Sequence, residues 1–492
     1  MNRFLAAVLL AAVAAAQTSS QQIAAHITAN ALKADVSFLA SDALEGRGTP
    51  STGLDIAAEF IASQFRRAGL EPAGDDGYFQ TAPYVSVTPN PEGLELTIET
   101  GGQVVRADKA ALALQEAAAA DLSHTAAIKV PMSDPAALEA LKPEQTRGKV
   151  LLLQLPDSGG GRGGTFAVMR RVQTAVPRLQ PALVVLVRSG AQAVNRNARL
   201  LPASAAMVPT LVVWDAAIRS ALDAGGEVAV SAHIPAPAVK PVKLHNVIGV
   251  LRGSDPVLKD TYLLFTAHYD HLGVRGSGEG DHINNGANDD ASGTASVLEI
   301  AGALAALPSW PKRSLVFLTF FGEELGELGS RYYVQHPVFP LAKTVVDVNL
   351  EQLGRTDETS GPRVGQFNLT GFDYTNLPAV FRQAGQETGI QVVKDEKNSD
   401  NYFGASDNAA FADAGVPSTT LSVTYSFPDY HRPGDEWPKL DYDNMAMVDR
   451  TIALAALLLA NGAETPQWNA ANPKTERFIH ARASAAGGTR QQ

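Results

Sequence analysis

Histidine and carboxylate side chains recur in short polar motifs in the second half of the chain, each after a predicted strand. Imidazole nitrogen and carboxylate oxygen both bind zinc and similar divalent metals, and a carboxylate that binds no metal can act as a general base. The chain contains no cysteine, so disulfides, thiolate metal sites and cysteine nucleophiles are excluded. Any metal must therefore be held by histidine and carboxylate, and the candidate ligands are His268, Asp289, Glu324, Glu351 and His431.

Two of these motifs have a structural alternative that the residues alone leave open. Asp270 could orient the ring of His268 toward a metal, although most histidines with such a neighbour are ordinary surface or core residues. The loop Gly286–Gly293 contains two adjacent acids, Asp289 and Asp290, and is equally typical of a helix cap.

The adjacent acids Glu323 and Glu324 follow a very apolar predicted strand. Paired glutamates usually lie on a solvated helix face, but ligands and catalysts of α/β sheets collect at strand ends. Adjacent side chains point in different directions, so one acid could bind a metal while the other remains free as a base. Glu351 and His431 are unremarkable alone. Their position after strands of the same predicted sheet favours a common metal site.

The elements that must position these residues are short apolar strands that alternate with helices. Strands that are apolar along their whole length are buried on both faces, which is typical of parallel sheets covered by helices. We therefore predict an α/β fold with a mostly parallel central sheet flanked by helices. The predicted strands are Asn246–Val250, Tyr262–Thr266, Ser314–Phe321, Thr344–Leu350 and Ser418–Val423.

The middle of the chain predicts a smaller unit of its own. Three buried strands, at residues 148–155, 183–187 and 210–213, alternate with helical intervals and end at the proline-rich connector Pro235–Pro241. We therefore place an inserted α/β domain at residues 130–235. The catalytic domain would then be discontinuous, over residues 22–129 and 240–465, and residues 466–492 read as a loose polar tail.

The net charge of the chain indicates which partners to expect, and its N-terminal segment indicates where the protein is located. The 492 residues carry a net charge of −11 without a basic block, which argues against nucleic acid as the main partner. Arg3 is followed by the apolar run Phe4–Ala16, which ends in small residues. This pattern predicts a signal peptide over residues 1–16, and hence an exported, periplasmic or secreted protein. No other apolar run is long enough to span a membrane, so no membrane partner is expected after signal removal.

The motifs together resemble the di-zinc aminopeptidases and related exopeptidases, the family of glutamate carboxypeptidase II and the bacterial secreted leucyl aminopeptidases. The N-terminal stretch Phe38–Gly48 is similar to that of members with a protease-associated domain. This implies that residues 130–235 are such an insertion. The motifs occur in family order and are Thr266–Asp270, Gly286–Gly293, Gly322–Gly326, Asn349–Gly354, Ser406-Asp407 and Tyr430-His431.

The resemblance implies two Zn²⁺ ions per chain, bridged by Asp289. His268 and Glu351 would complete one metal position, and Glu324 and His431 the other. Many aminopeptidases of the family have Asp where this chain has Glu351, so the metal position must accommodate a longer side chain.

The resemblance also implies roles for residues that bind no metal. Glu323 would be the general base, acting on a water that bridges the two metals. Tyr430 would stabilise the oxyanion. Asp270 would orient His268, and Asp407 would support the site from behind the ligands.

We therefore expect an exported zinc aminopeptidase that hydrolyses the N-terminal peptide bond of peptides with a free N-terminus. A carboxypeptidase would instead need basic residues for the substrate carboxylate, and Arg355 and Arg432 are the nearest candidates. A glutaminyl cyclase-like transferase shares the same chemistry. A non-catalytic binding protein on this scaffold, as in the transferrin receptor ectodomain, would have lost ligands, whereas all five positions here hold metal-binding side chains.

Overall fold

The computed structural model describes residues 19–116, 118–155, 171–172, 174–190, 198–205 and 207–488. The predicted signal peptide, residues 1–16, lies outside the described residues. The chain forms two compact units. Unit 1 comprises the described residues up to Ala82 and from Leu244 onward, and unit 2 comprises Pro83–Lys243. Among the described residues, no helix combines the length and apolar character that a membrane crossing requires.

The described residues contain α-helices and strands as follows. The strands are β1 (Glu71–Pro72), β2 (Phe79–Thr88), β3 (Glu95–Thr100), β4 (Gln103–Arg106), β5 (Leu112–Glu116), β6 (Ala120–Pro131), β7 (Val150–Gln154), β8 (Leu183–Val187), β9 (Arg199–Pro202), β10 (Thr210–Val213), β11 (Val228–Ile234), β12 (Ala238–Leu251), β13 (Tyr262–His268), β14 (Gly273–Val274), β15 (Ile283–Asn284), β16 (Ser314–Phe320), β17 (Thr344–Leu350), β18 (Asp357–Glu358), β19 (Gly361–Pro362), β20 (Gln366–Leu369), β21 (Gln391–Val393) and β22 (Ser418–Ser422). The helices include Ala29–Leu39, Thr52–Ala68, Pro135–Glu139, Pro143–Thr146, Ala216–Asp223, Ser292–Ala305, Leu328–Gln335, Leu377–Thr388, Asn408–Asp413, Tyr442–Asn461 and Glu476–Gly488.

The central sheet of unit 1 has the strand order β21-β20-β22-β17-β13-β16-β12. Its middle is parallel, because β13 pairs in parallel with both β16 and β17, and β17 pairs in parallel with β22. The outer strands β12 and β20 are antiparallel to their inner neighbours. Every residue of the four parallel strands is buried. The predicted α/β class is confirmed, with an antiparallel strand on each side of the parallel centre.

Unit 2 is built on its own eight-stranded sheet, in the order β4-β3-β11-β6-β7-β8-β10-β5. The expected boundary at residue 130 differs from the structure, in which this unit begins at Pro83. The reason is that β11 pairs with β3 and β6, so the strands before residue 130 share a sheet with β7, β8 and β10. Alternation in the early strands predicted their conformation, but not which sheet they join.

The C-terminal segment is not the loose tail that its polar composition predicts. The helix Glu476–Gly488 packs on unit 1 through Phe478, which lies in an apolar cluster with Trp468 and Phe403. Arg482 adds hydrogen bonds to the carbonyl oxygens of Leu341 and Thr344. Two large buried aromatic side chains, Trp468 and Phe478, are enough to anchor this segment, and they are too few to produce a clear periodic pattern.

Arg47 joins the N-terminal segment to the loops that follow β13 and β15. Its side chain is fully buried. The guanidinium donates to the carbonyl oxygens of Tyr269 at 2.7 Å, Asn285 at 2.7 Å and Gly286 at 2.9 Å, and also to that of Leu39. These contacts connect segments that lie far apart in sequence. The planar, five-donor guanidinium is the side chain that can satisfy so many acceptors at once.

We predict that Arg47→Met destabilises the protein by roughly 3–5 kcal/mol, because it leaves buried carbonyl oxygens without donors. Arg252→Met is the matched control, since the Arg252 guanidinium forms a partly exposed ion pair with Glu71 at 2.8 Å. That change should cost within about 1 kcal/mol. Urea denaturation with a chelator present measures both, free of any metal contribution. Equal losses of unfolding free energy in the two variants would contradict the role of Arg47 in connecting these segments.

Candidate metal centre

The candidate ligands lie at the carboxyl ends of the parallel strands of unit 1. His268 is the last residue of β13, and Glu351 directly follows β17. Glu323 and Glu324 open the 3₁₀ turn Glu323–Leu325 just after β16. Neighbouring parallel strands end at the same edge of a sheet, and binding sites of open α/β sheets lie at that edge. These side chains therefore converge.

Asp289 lies at the centre of the cluster. Its Oδ1 atom is 3.3 Å from Nε2 of His268, and its Oδ2 atom is 3.1 Å from Nε2 of His431. The side chain is buried within the irregular helical turn Ala287–Ala291. One carboxylate thus faces two imidazoles through its two oxygens, which is an arrangement suited to bridging two metal ions.

Two further acids hold the turn that carries Asp289. Asp435 accepts hydrogen bonds from the backbone N–H groups of Asn288 at 3.0 Å and Asp289 at 3.1 Å. Asp290, the second acid of the motif, accepts from the backbone N–H of Gln352 at 3.2 Å. Asp290 therefore connects the turn to the segment after β17. The sequence left open whether this motif caps a helix or binds a ligand. Asp290 accepts from the backbone N–H of Gly293 at 2.9 Å, in the first turn of the following helix, whereas Asp289 faces the two histidines.

The ligand atoms form two groups that share Asp289. In each group three ligand atoms lie within 4.8 Å of one another, and the groups are His268, Asp289 and Glu351, and His271, Asp289 and Glu324. Nε2 of His431 lies 3.4 Å from Oε1 of Glu324, beside the second group. The longer side chain of Glu351 fits this arrangement, since its carboxylate lies within the first group. The structure thus brings together all five side chains that the sequence predicted as ligands.

His271 was not predicted from the sequence, although it lies at the centre. Its Nδ1 atom is 2.7 Å from Oε1 of Glu324, and the side chain is buried. The signal available in the sequence was a second histidine three residues after His268. The motif Thr266–Asp270, on which the sequence analysis relied, ends at the residue before it.

The other predicted site residues surround the ligands. The backbone carbonyl of Asp270 lies 3.1 Å from Nδ1 of His268, and its carboxylate accepts from the backbone N–H of Glu323 at 3.0 Å. The ring of Tyr430 stacks on that of His431, with centroids 3.9 Å apart. Asp407 is fully buried before the helix Asn408–Asp413, and burial raises its pKa to about 8.

Burial and the histidines divide the acids of the centre into two classes. Burial raises the pKa of Glu324, but the nearby imidazoles of His271 and His431 outweigh it and hold the pKa at about 2. The pKa of Asp289 is likewise lowered by its two histidines against the effect of burial. Glu323 has a raised pKa, because burial and neighbouring carboxylates outweigh the attraction of His268. The acids that contact two imidazoles therefore stay ionised, while the raised pKa of Glu323 makes it the stronger base.

Several ligand atoms of the centre lack a hydrogen-bond partner among the described residues. They are Nε2 of His268, both ring nitrogens of His271, Oδ2 of Asp289 and Oε1 of Glu324. Buried polar atoms are nearly always satisfied, so a converging set without partners requires a bound species. The donors are nitrogen and carboxylate oxygen, which suits Zn²⁺ or a similar divalent ion. The residues present therefore fit a metal centre.

The part of the chain that carries this centre matches a peptidase family. Residues 246–456 match the sequence model of Peptidase family M28. Aminopeptidase YwaD of Bacillus subtilis is 28% identical over 216 residues, which are 43% of this chain and 43% of that protein. Leupeptin-inactivating enzyme 1 of Streptomyces exfoliatus is 31% identical over 187 residues, which are 38% of this chain and 36% of that enzyme. The chain thus matches less than half of the length of these relatives.

A solved structure supports the fold over a longer stretch. An aminopeptidase from Aneurinibacillus sp. strain AM-1 has a TM-score of 0.52 and 21% sequence identity, and the match covers 90% of this chain and 97% of that chain. At this identity the likeness shows the fold alone. The resemblance predicted from the motifs is nevertheless confirmed at the level of family, because residues 246–456, which carry every candidate ligand, match Peptidase family M28.

Proposed function

We propose that the protein is an exported zinc-dependent aminopeptidase that holds two Zn²⁺ ions and releases the first residue from peptides with a free N-terminus. The observation that carries the proposal is the position of Asp289, whose two oxygens face His268 and His431 at 3.3 and 3.1 Å. Unit 2 would be a protease-associated domain. Removal of residues 1–16 would release the protein outside the cytoplasm.

Each zinc position would draw on side chains from different strand ends. His268, Glu351 and one oxygen of Asp289 would hold one ion, and the other oxygen of Asp289, with Glu324 and His431, would hold the second. Bound zinc ions supply Lewis acidity toward the scissile carbonyl and lower the pKa of the attacking water. Asp270 would keep His268 in the required orientation, since its backbone carbonyl lies beside the ring nitrogen that faces away from Asp289.

Glu323 would serve as the general base. Its Oε2 atom lies 4.0 Å from Nε2 of His268, so the carboxylate borders the centre without belonging to either group of ligands. The side chain is 14% exposed, which leaves it within reach of water. Its backbone is fixed by the carboxylate of Asp270. Glu323 would accept a proton from the attacking water and deliver it to the leaving amine.

The remaining groups suit a substrate with a protonated α-amine. Glu323 and Glu351 interact electrostatically with each other, so this side of the centre is acidic. An acidic surface attracts an ammonium group and repels a carboxylate. Partial burial and nearby carboxylates raise the pKa of Tyr430 above its ordinary value, so its phenol stays protonated. It would donate a hydrogen bond to the carbonyl oxygen as negative charge develops there.

A carboxypeptidase would need a cationic side chain that is free to bind the substrate carboxylate, and one of the two candidates, Arg355, is not free. The guanidinium of Arg355 donates to Asp357 at 2.6 Å and to Asp429 at 3.0 Å, and only 5% of its side chain is exposed. Arg355 is therefore committed to a structural network, and Arg432 remains as the other candidate. A non-catalytic binding protein is disfavoured because all five ligand side chains converge.

The first experiment is a peptide series with free, acetylated and amidated ends, with and without a chelator. We expect release of the first residue from free N-termini only, and loss of that activity with the chelator. Cleavage that tolerates acetylation but fails on amidated C-termini would instead establish a carboxypeptidase. Cyclisation of N-terminal glutamine without hydrolysis would establish the transferase.

Two neighbouring variants test the assigned roles. Glu323→Gln should keep both metal ions and lose turnover by roughly 100-fold or more, as expected for loss of a general base. Glu324→Gln should lose metal as well as activity, because its carboxylate lies in the ligand group. Metal content by atomic absorption, with turnover on one substrate, separates the two. Loss of metal from Glu323→Gln alone would mean that the two roles are exchanged.

A further inference from the structure

We propose that His271 is a third histidine ligand of the metal centre, so that the two metal positions are unequal. This inference rests on the proposed two-metal function, and it adds a ligand beyond the five that the family motifs imply. His271 would bind the ion held by Asp289, Glu324 and His431. That position would have four protein ligands, whereas the position of His268, Asp289 and Glu351 would have three.

The ring of His271 already lies among the ligands of this position. Its Nδ1 atom is 2.7 Å from Oε1 of Glu324, and its ligand atom lies within 4.8 Å of that of Asp289. The ring centroid is 5.6 Å from that of His431, and the two ring planes cross at 74°. The two histidines and the two acids therefore surround one small volume.

The contact between His271 and Glu324 does not have the geometry of a hydrogen bond. Neither Nδ1 of His271 nor Oε1 of Glu324 has a hydrogen-bond partner among the described residues, although the two atoms lie within hydrogen-bond distance. Nε2 of His271 also lacks one. A buried histidine with a structural role would satisfy at least one ring nitrogen. Two such atoms that lie close together without forming a hydrogen bond are what two ligands of a common ion present.

The surrounding backbone is built to hold this ring. The backbone N–H of His271 donates to the carbonyl of Arg47 at 3.3 Å, and His271 forms a bridge with Gly48. Gly286 has φ +58°, and a Cβ atom there would lie 2.4 Å from the His271 ring. The glycine that opens the Asp289 turn is therefore required both for its backbone conformation and for the space that the imidazole occupies.

The inequality of the two positions has a measurable consequence. Four protein ligands are typical of tightly held structural zinc, whereas three leave a place for water or substrate. The ion beside His271 should therefore bind more tightly and exchange more slowly. The ion beside His268 and Glu351 should be the one that dialysis removes first.

The test is a titration of metal-free protein with Co²⁺, followed by absorption spectroscopy and calorimetry. Wild type should bind two ions with different affinities. His271→Ala should weaken the tighter site at least ~10-fold and change its spectrum, since even residues that only support a ligand change metal affinity by this much. The control is His282→Ala, because Nε2 of His282 lies 3.1 Å from the carbonyl of Gly278, in the loop between β14 and β15.

The outcomes separate this inference from the proposed function. If His271→Ala bound Co²⁺ with the affinities and spectrum of wild type, the assignment of His271 as a ligand would be wrong. Equal weakening of both sites would also contradict it. Unfolding curves recorded with a chelator should match between His271→Ala and wild type, so that a folding defect is not read as a ligand loss. Failure of wild type to bind any Co²⁺ would instead refute the metal centre itself. Two ions in wild type without aminopeptidase activity would refute the function and leave the ligand assignment intact.

Discussion

Negative charge at the end of a buried sheet is the constraint on which the rest of unit 1 depends. Asp289, Glu324 and Glu351 present carboxylates to one another where little water remains, and like charges at such separations repel strongly. Imidazoles offset part of this repulsion, as the lowered pKa of Asp289 shows. The unpartnered atoms of the centre show that the side chains alone do not complete the balance. Divalent cations would complete it, and their binding would then contribute to folding.

The surrounding fold positions the side chains of the centre. Four fully buried parallel strands bring the candidate ligands to one edge, and helix Ser292–Ala305 begins directly after the turn of Asp289. The positive charge of Arg47 interacts with the acids of that turn, while its guanidinium donates its hydrogen bonds to backbone carbonyls. It therefore holds the loops in place and leaves the carboxylates free of hydrogen bonds to its guanidinium. The N-terminal segment, remote in sequence from the motifs, is for this reason part of the site.

The parallel strands and the candidate ligands could be predicted because their signals are local. An apolar run such as Thr344–Leu350 is recognisable in the sequence, and the polar residue after it must lie at the sheet edge. His271 and Arg47 could not be predicted, since their importance arises from contacts with Glu324 and with the carbonyls of distant loops. The start of unit 2 at Pro83 depends on strand pairing, which alternation does not specify. The packing of Phe478 likewise depends on Trp468 and Phe403 being placed nearby by other elements.

The most direct test of the central claim is anomalous diffraction at the zinc absorption edge, from crystals of the full chain grown with zinc. We expect two peaks that share Asp289, one within coordination distance of His268 and Glu351 and the other within that distance of Glu324, His431 and His271. A single peak, or peaks away from Asp289, would contradict it. Absence of any peak, with the carboxylates instead satisfied by ordered water, would mean that this buried charge is balanced without metal.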